Sequence, residues 1–143
     1  MSSVREQILA RIAAALLGAT PAGASVFRAR EVSITRDVTP AITVLFGGES
    51  DKRMSQDADQ HLMRVTVAIF VRGDPWDKLA DAVATPMHGV IMNDSALRAL
   101  VLDVRKTSSE PEAQEADRTA GTLIVTYEIN YLTRATDIAA QPI

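Results

Sequence analysis

Apolar residues recur along this chain with two different periods, and the points where the period changes divide it into elements. Val4, Ile8, Leu9, Ile12 and Leu16 stand three or four residues apart, the spacing that lines one face of an α-helix. Ser3-Val4-Arg5-Glu6 has the form of a capping box, in which Ser3 accepts a hydrogen bond from the N3 amide and Glu6 reaches back to the cap. The pattern predicts an amphipathic first helix that stops at Gly18. Residues 18–25 (GATPAGAS) hold small residues, a proline and two glycines, and read as a flexible link.

The period then shortens to two. Residues 26–36 carry Val32 and Ile34 with Arg28, Arg30 and Arg36 at the same parity, a basic row on the same face, which predicts an irregular or edge strand. Residues 41–46 (AITVLF), bounded by Pro40 and Gly47-Gly48, predict a more regular strand. Residues 47–60 are polar and charged, so an exposed loop is expected there. In residues 62–71, Met63, Val65, Val67, Ile69 and Val71 share one face of a strand. Arg72-Gly73 breaks it, and Asp74-Pro75-Trp76-Asp77 offers an N-cap, a proline at N1 and an acid in the first turn of a helix. Trp76, Leu79, Ala80, Val83, Met87, Val90 and Ile91 form that helix's apolar stripe, with Pro86 either kinking it or starting a second segment behind Thr85. Residues 96–100 read as one helical turn and 101–105 as a strand. Residues 107–121 (TSSEPEAQEADRTAG) lack apolar periodicity and predict a long acidic loop or a strand-flanked excursion. The cleanest alternation is in residues 122–133, where Leu123, Val125, Tyr127, Ile129 and Tyr131 oppose Thr126, Glu128 and Asn130, the mark of a sheet with one buried and one wet face. The sum is an α+β fold: a mostly antiparallel sheet of about four strands with helices on one face. Residues 1–134 form one domain and 135–143 a loose tail.

Composition narrows the chemistry. The chain has 143 residues, 47% hydrophobic and 23% charged, a balance that supports a single core without staples. Cysteine is absent, so disulfides, thiol nucleophiles and thiolate metal sites are excluded. The N-terminus lacks the pattern of a secretory leader, and no stretch reaches membrane-spanning length, so a cytoplasmic protein is expected. A net charge of −3 argues against a general nucleic-acid binder. Residues 1–36 hold five arginines against two glutamates, net +3, which leaves −6 for the remainder. Opposite ends of opposite sign suit head-to-tail assembly as well as they fit a random scatter.

Candidate chemistry is sparse. His61 and His88 have no second histidine at helical spacing, and no nucleophile elbow or phosphate loop is present. Glu49, Asp51, Asp57 and Asp59 look superficially like a calcium loop, but the required spacing and the closing glutamate are missing. Asp74, Asp77 and Asp81 are explained by capping and the helix dipole. Trp76 opens the apolar stripe and reads as a core anchor before an interface residue. No catalytic residue, metal or cofactor is assigned, and a protein that works by binding is expected.

The order of elements resembles the tail terminator and minor tail protein family of long-tailed bacteriophages and their prophages. The resemblance runs to residue 134 and rests on residues 40–46, 63–71, 76–83 with its leading Trp76, 94–103, and the closing strand with Val125-Thr126-Tyr127 and Tyr131-Leu132-Thr133. It implies a structural morphogenesis protein and not an enzyme: a sheet backed by helices that assembles as a homo-hexameric ring, caps the tail tube, ends its polymerisation and offers a surface to the head-tail connector. The partners implied are further copies of the chain, the tail tube protein and the connector, with no membrane and with DNA only passing through the lumen. The setting implied is the host cytoplasm during assembly and then the virion tail. The basic segment and the charged loop nominate Arg28, Arg30, Asp51, Lys52 and Arg53 as subunit or partner contacts. Glu110, Glu112, Glu115 and Asp117 are nominated as lumen or loop acids that repel DNA phosphate. Two rivals stand beside this reading. One is a head-closure or tail-completion connector; the other is a small ligand-binding domain with Arg64, His88 and Trp76 around a pocket.

Overall fold

The computed structural model describes residues 2–28, 39–113 and 119–142. Helix α1 spans Val4–Leu16, and Ser3 caps it by accepting from the Glu6 amide at 3.1 Å. Only half of the capping box forms, because the Glu6 carboxylate turns away from the cap to a two-point ion pair with Arg28. All five apolar residues of the stripe are buried, each worth about 1.5–3 kcal/mol on transfer from water. The link after α1 is folded into turns: the Gly18 amide donates to the Gly23 carbonyl, and Ala22 is buried. Strand β1, Val26–Arg28, is a short edge strand. The rest of the arginine-bearing segment lies outside the described residues.

The stretch expected to be an exposed loop is strand. Strand β2 runs through Ala41–Arg53 and β3 through Ala58–Arg72, paired antiparallel down to Arg53 and Asp59. Gly47-Gly48 forms a bulge, with the register shifting between Phe46 and Glu49 and Gly48 at φ +105. Glycine suits this place: a Cβ on Gly47 would press on the Arg64 carbonyl at 3.1 Å, and Gly48 needs a left-handed backbone. Beyond the bulge the hairpin leaves the apolar core, so its polar sequence reflects exposure and not the absence of strand.

Helix α2 spans Trp76–Asn93 without interruption at Pro86. The N-cap position falls on Pro75 instead of Asp74, so the helix starts one residue later than the sequence suggests, and no side chain makes a cap bond there. Helix α3, Ser95–Leu100, is capped by the Asp94 carboxylate, which accepts from the Leu97 amide at 2.9 Å. Strand β4 covers Asp103–Ala113, so it takes in the first half of the expected acidic loop. Its polarity follows from its place, because among the described residues β4 is an edge strand hydrogen-bonded only to β5, and Val104 is its one described residue in the core. Strand β5, Ala120–Arg134, carries the predicted alternation.

The five strands form one mixed sheet in the order β1-β2-β3-β5-β4, with the β1–β2 pair parallel and the others antiparallel. Ile42 and Val44, then Met63 to Val71 at alternate positions, then Val125, Tyr127 and Ile129 point to the helices and meet Ala80, Val83, Met87 and Ile91 of α2 and Leu97 of α3. Trp76 completes this layer by lying on Gly121; a Cβ there would run into its indole ring. Residues 135–142, expected to hang loose, fold back: the Val4 amide donates to the Ile138 carbonyl at 2.8 Å, and the Gln141 side chain donates to Ala99 of α3 at 3.0 Å.

Candidate assembly surfaces

The helix-facing side of the sheet changes character where the hairpin passes the bulge. Cross-strand register continues the core rows through Glu49 opposite Met63, Asp51 opposite His61, and His61 opposite Tyr131. These alternate positions, apolar higher up, become a polar cluster closed by Arg5 from α1. The Tyr131 hydroxyl donates to the Glu49 carboxylate, and Arg5 stands 3.6 Å from Glu49 with its guanidinium over the Phe46 ring at 4.8 Å. Burial first, and then the Glu49 bond, push the Tyr131 hydroxyl far above the ordinary tyrosine range.

His61 sits at the centre, 6% exposed and stacked on Tyr131 at 4.7 Å. Its Nδ1 lies 2.6 Å from Asp51 Oδ1 and its Nε2 2.8 Å from Thr133 Oγ1. Since a carboxylate only accepts, Nδ1–H donates to Asp51, while Nε2 and the Thr133 hydroxyl share a hydrogen bond. Glu49, Asp51 and His61 bring three possible ligand atoms within 4.8 Å of one another, but each is already engaged inside the chain. Taking up a cation would cost those bonds. Sequence spacing could not reveal this cluster, because its members meet only through the pairing of three strands.

The nominated contact residues scatter in role. Arg28 is held by Glu6, Asp51 by His61, and Arg53 by Asp59 at 2.9 Å. Lys52 is exposed and has no ion-pair partner among the described residues. Arg30 lies outside the described residues. With Arg5 and Arg11 also engaged, Arg5 to Glu49 and Arg11 to Asp94 at 2.8 Å, much of the N-terminal basic excess is neutralised inside the chain. Asp94 is held below its ordinary value chiefly by Arg11, and Glu6 likewise by Arg28. Glu110 and Glu112 lie on β4 opposite Ile124 and Thr122, on the sheet face away from the helices; Glu115 and Asp117 lie outside the described residues.

The trio of the ligand-pocket rival does not converge. His88 bonds to the Tyr127 hydroxyl at 2.9 Å, a hydroxyl that burial pushes up to about 12. Trp76 covers Gly121, and Arg64 points from β3 to the opposite face of the sheet, across from Glu128. Among the described residues, a hollow of about 490 Å³ lies at the hairpin end, lined by Ser55, Asp57, Ala58, Arg134, Thr136 and Pro142. Another of about 400 Å³ lies beside Leu100, Leu102 and Leu132. Among the described residues no helix is long and apolar enough to cross a membrane.

No curated protein matches this chain significantly. Among solved structures, a chain from the virion of a native gene transfer agent particle aligns over 91% of this chain and 92% of its own, at 11% identity and a TM-score of 0.46. At that level the likeness carries no argument. The family model for phage minor tail protein U matches residues 1–131, nearly every element described above from the first helix into the closing strand. The chain therefore belongs to the phage minor tail protein U family, whose members are structural proteins of the phage tail.

Proposed function

We propose that this protein caps the phage tail tube as a homo-hexameric ring, ends tube polymerisation and presents the surface to which the head connector joins. Family membership over residues 1–131 carries the reading. Two features support it: surface hollows cluster at the hairpin end, and the acids of β4 lie on an outer sheet face. In the ring, Lys52 and the neighbouring hairpin residues meet other subunits, and Glu110 and Glu112 face the lumen, where the negative charge of this segment, to which Glu115 and Asp117 add, keeps DNA phosphate from sticking.

The test is tube length. Tail tube protein polymerised with and without this chain, and imaged by negative stain, gives short tubes ending in a ring when the chain is present. Tubes that keep growing in its presence reject the capping role. Reversing the charge of Glu110, Glu112, Glu115 and Asp117 together leaves capping intact and slows DNA passage; unchanged passage rejects the lumen assignment. A head-closure connector, the second reading, would bind completed heads and leave tube length unaltered.

A further inference from the structure

We propose that the ring is closed by Met54, carried at the tip of the β2–β3 hairpin of one copy and seated in the apolar groove between α3, β5 and the C-terminal segment of the next. This inference rests on the ring reading above and names its contact.

The hairpin tip is an exposed projection with a fixed shape. Residues 51–57 are all exposed, yet the turn is pinned from within. Met54 and Ser55 amides donate to the Ala58 carbonyl, Arg53 pairs with Asp59, and the Ala135 amide donates to the Asp57 carbonyl at 2.8 Å. Met54 crowns this polar turn with 55% of its surface exposed. A flexible thioether on a preorganised loop is the kind of anchor that fills an irregular apolar hollow with little ordering cost.

The groove has matching character. Leu100, Val101, Leu102, Leu132 and Pro142 line about 400 Å³, and Leu102 is 58% exposed. Its wall is held by the Gln141 bond to Ala99 and the Arg134 amide donating to Ala140. Tip and groove lie at the same end of the sheet but on different strands, the tip on β2–β3 and the groove beyond β5 toward β4. Two distinct patches that complement each other give a heterologous, head-to-tail contact, which generates a ring when the rotation closes. Charge agrees: Lys52 beside the tip and Asp103 beside the groove share the sheet face away from the helices, and each lacks an ion-pair partner among the described residues. An opposite pair there selects the register of neighbours.

The chain contains no cysteine, which makes a direct test clean. Met54→Cys and Leu102→Cys variants of different mass, mixed under oxidising conditions with tail tubes present, form a disulfide between the two variants, while neither variant alone crosslinks comparably. Met54→Glu raises the concentration needed for ring assembly about tenfold or more at unchanged melting temperature. Lys52→Asp weakens assembly, and adding Asp103→Lys restores it. Rings that assemble without the mixed disulfide, or with Met54→Glu as readily as with the parent chain, overturn this contact and leave the capping role standing. If Met54→Glu forms normal rings that no longer hold the tube, the tip docks on the tube protein and the proposal fails. Failure of the parent chain to form rings either free or on tubes overturns both readings.

Discussion

One sheet serves two regimes on either side of the bulge at Gly47-Gly48. Above it, Val65, Val67, Ile69, Val125, Tyr127 and Ile129 present a dry surface to α1 and α2. Below it, the same rows continue as Glu49, Asp51, His61, Tyr131 and Thr133, tied by hydrogen bonds and partly reached by water. The upper region is held by packing, which fails in proportion to the volume removed. The lower one is held by polar bonds, whose net worth is small while all partners are present and whose loss is felt when one is left alone. The difference lets the domain keep a rigid body while the hairpin beyond the bulge keeps an exposed surface.

The comparison can be broken first in the core. Ile129→Ala should cost about 2–5 kcal/mol, read as a large drop in the thermal midpoint, with assembly lost only because the fold is lost. His61→Ala should cost less, about 1–3 kcal/mol, since it leaves the buried Thr133 hydroxyl without its partner; an equal or larger loss than in Ile129→Ala would show that the lower region is a second core. A third effect appears only in acid. Asp94 and Glu6 are lowered from ordinary values of 3.8 and 4.5, so each contributes stability that is present above those values and is lost as pH falls through the lower folded-state ones. Asp94→Asn should therefore flatten the acid limb of a stability-against-pH curve, and an unchanged limb would remove the Arg11 pair from the account. Smallest of all, Arg53→Ala should change stability by at most about 0.5 kcal/mol, because an exposed ion pair is worth little. A drop as large as that from His61→Ala would mean that the tip helps hold the domain.

The same division decides how much the sequence could tell. Wherever an element has one buried face, its period was legible: the α1 stripe, the alternation of Met63 to Val71, and that of Val125 to Tyr131. Residues 47–60 and 107–113 resisted because neither face of those strands is apolar. The hairpin extends past the core, and β4 touches it only through Val104. A strand without a dry face leaves no period-two signal. Gly47-Gly48 was visible as a break, but a bulge and a turn use the same residues. The His61 cluster stayed hidden for another reason, since Glu49, His61 and Tyr131 become neighbours only once register is set. The tail from residue 135 shows no pattern because its backbone, more than its side chains, makes the bonds to α1 and β5.

The sheet order has a consequence for how the molecule is made. β5 follows the other four described strands in the chain, yet it lies between β3 and β4 and is hydrogen-bonded on both sides. A chain that has not reached residue 120 leaves the β5-side edge of β3 unpaired and β4 without its partner strand, a state that invites pairing with other chains. The Ile138 carbonyl that receives the Val4 amide arrives later still. The sheet is thus closed only once residues 120–134 are made, and a chain cut before residue 120 lacks the strand that joins β3 to β4.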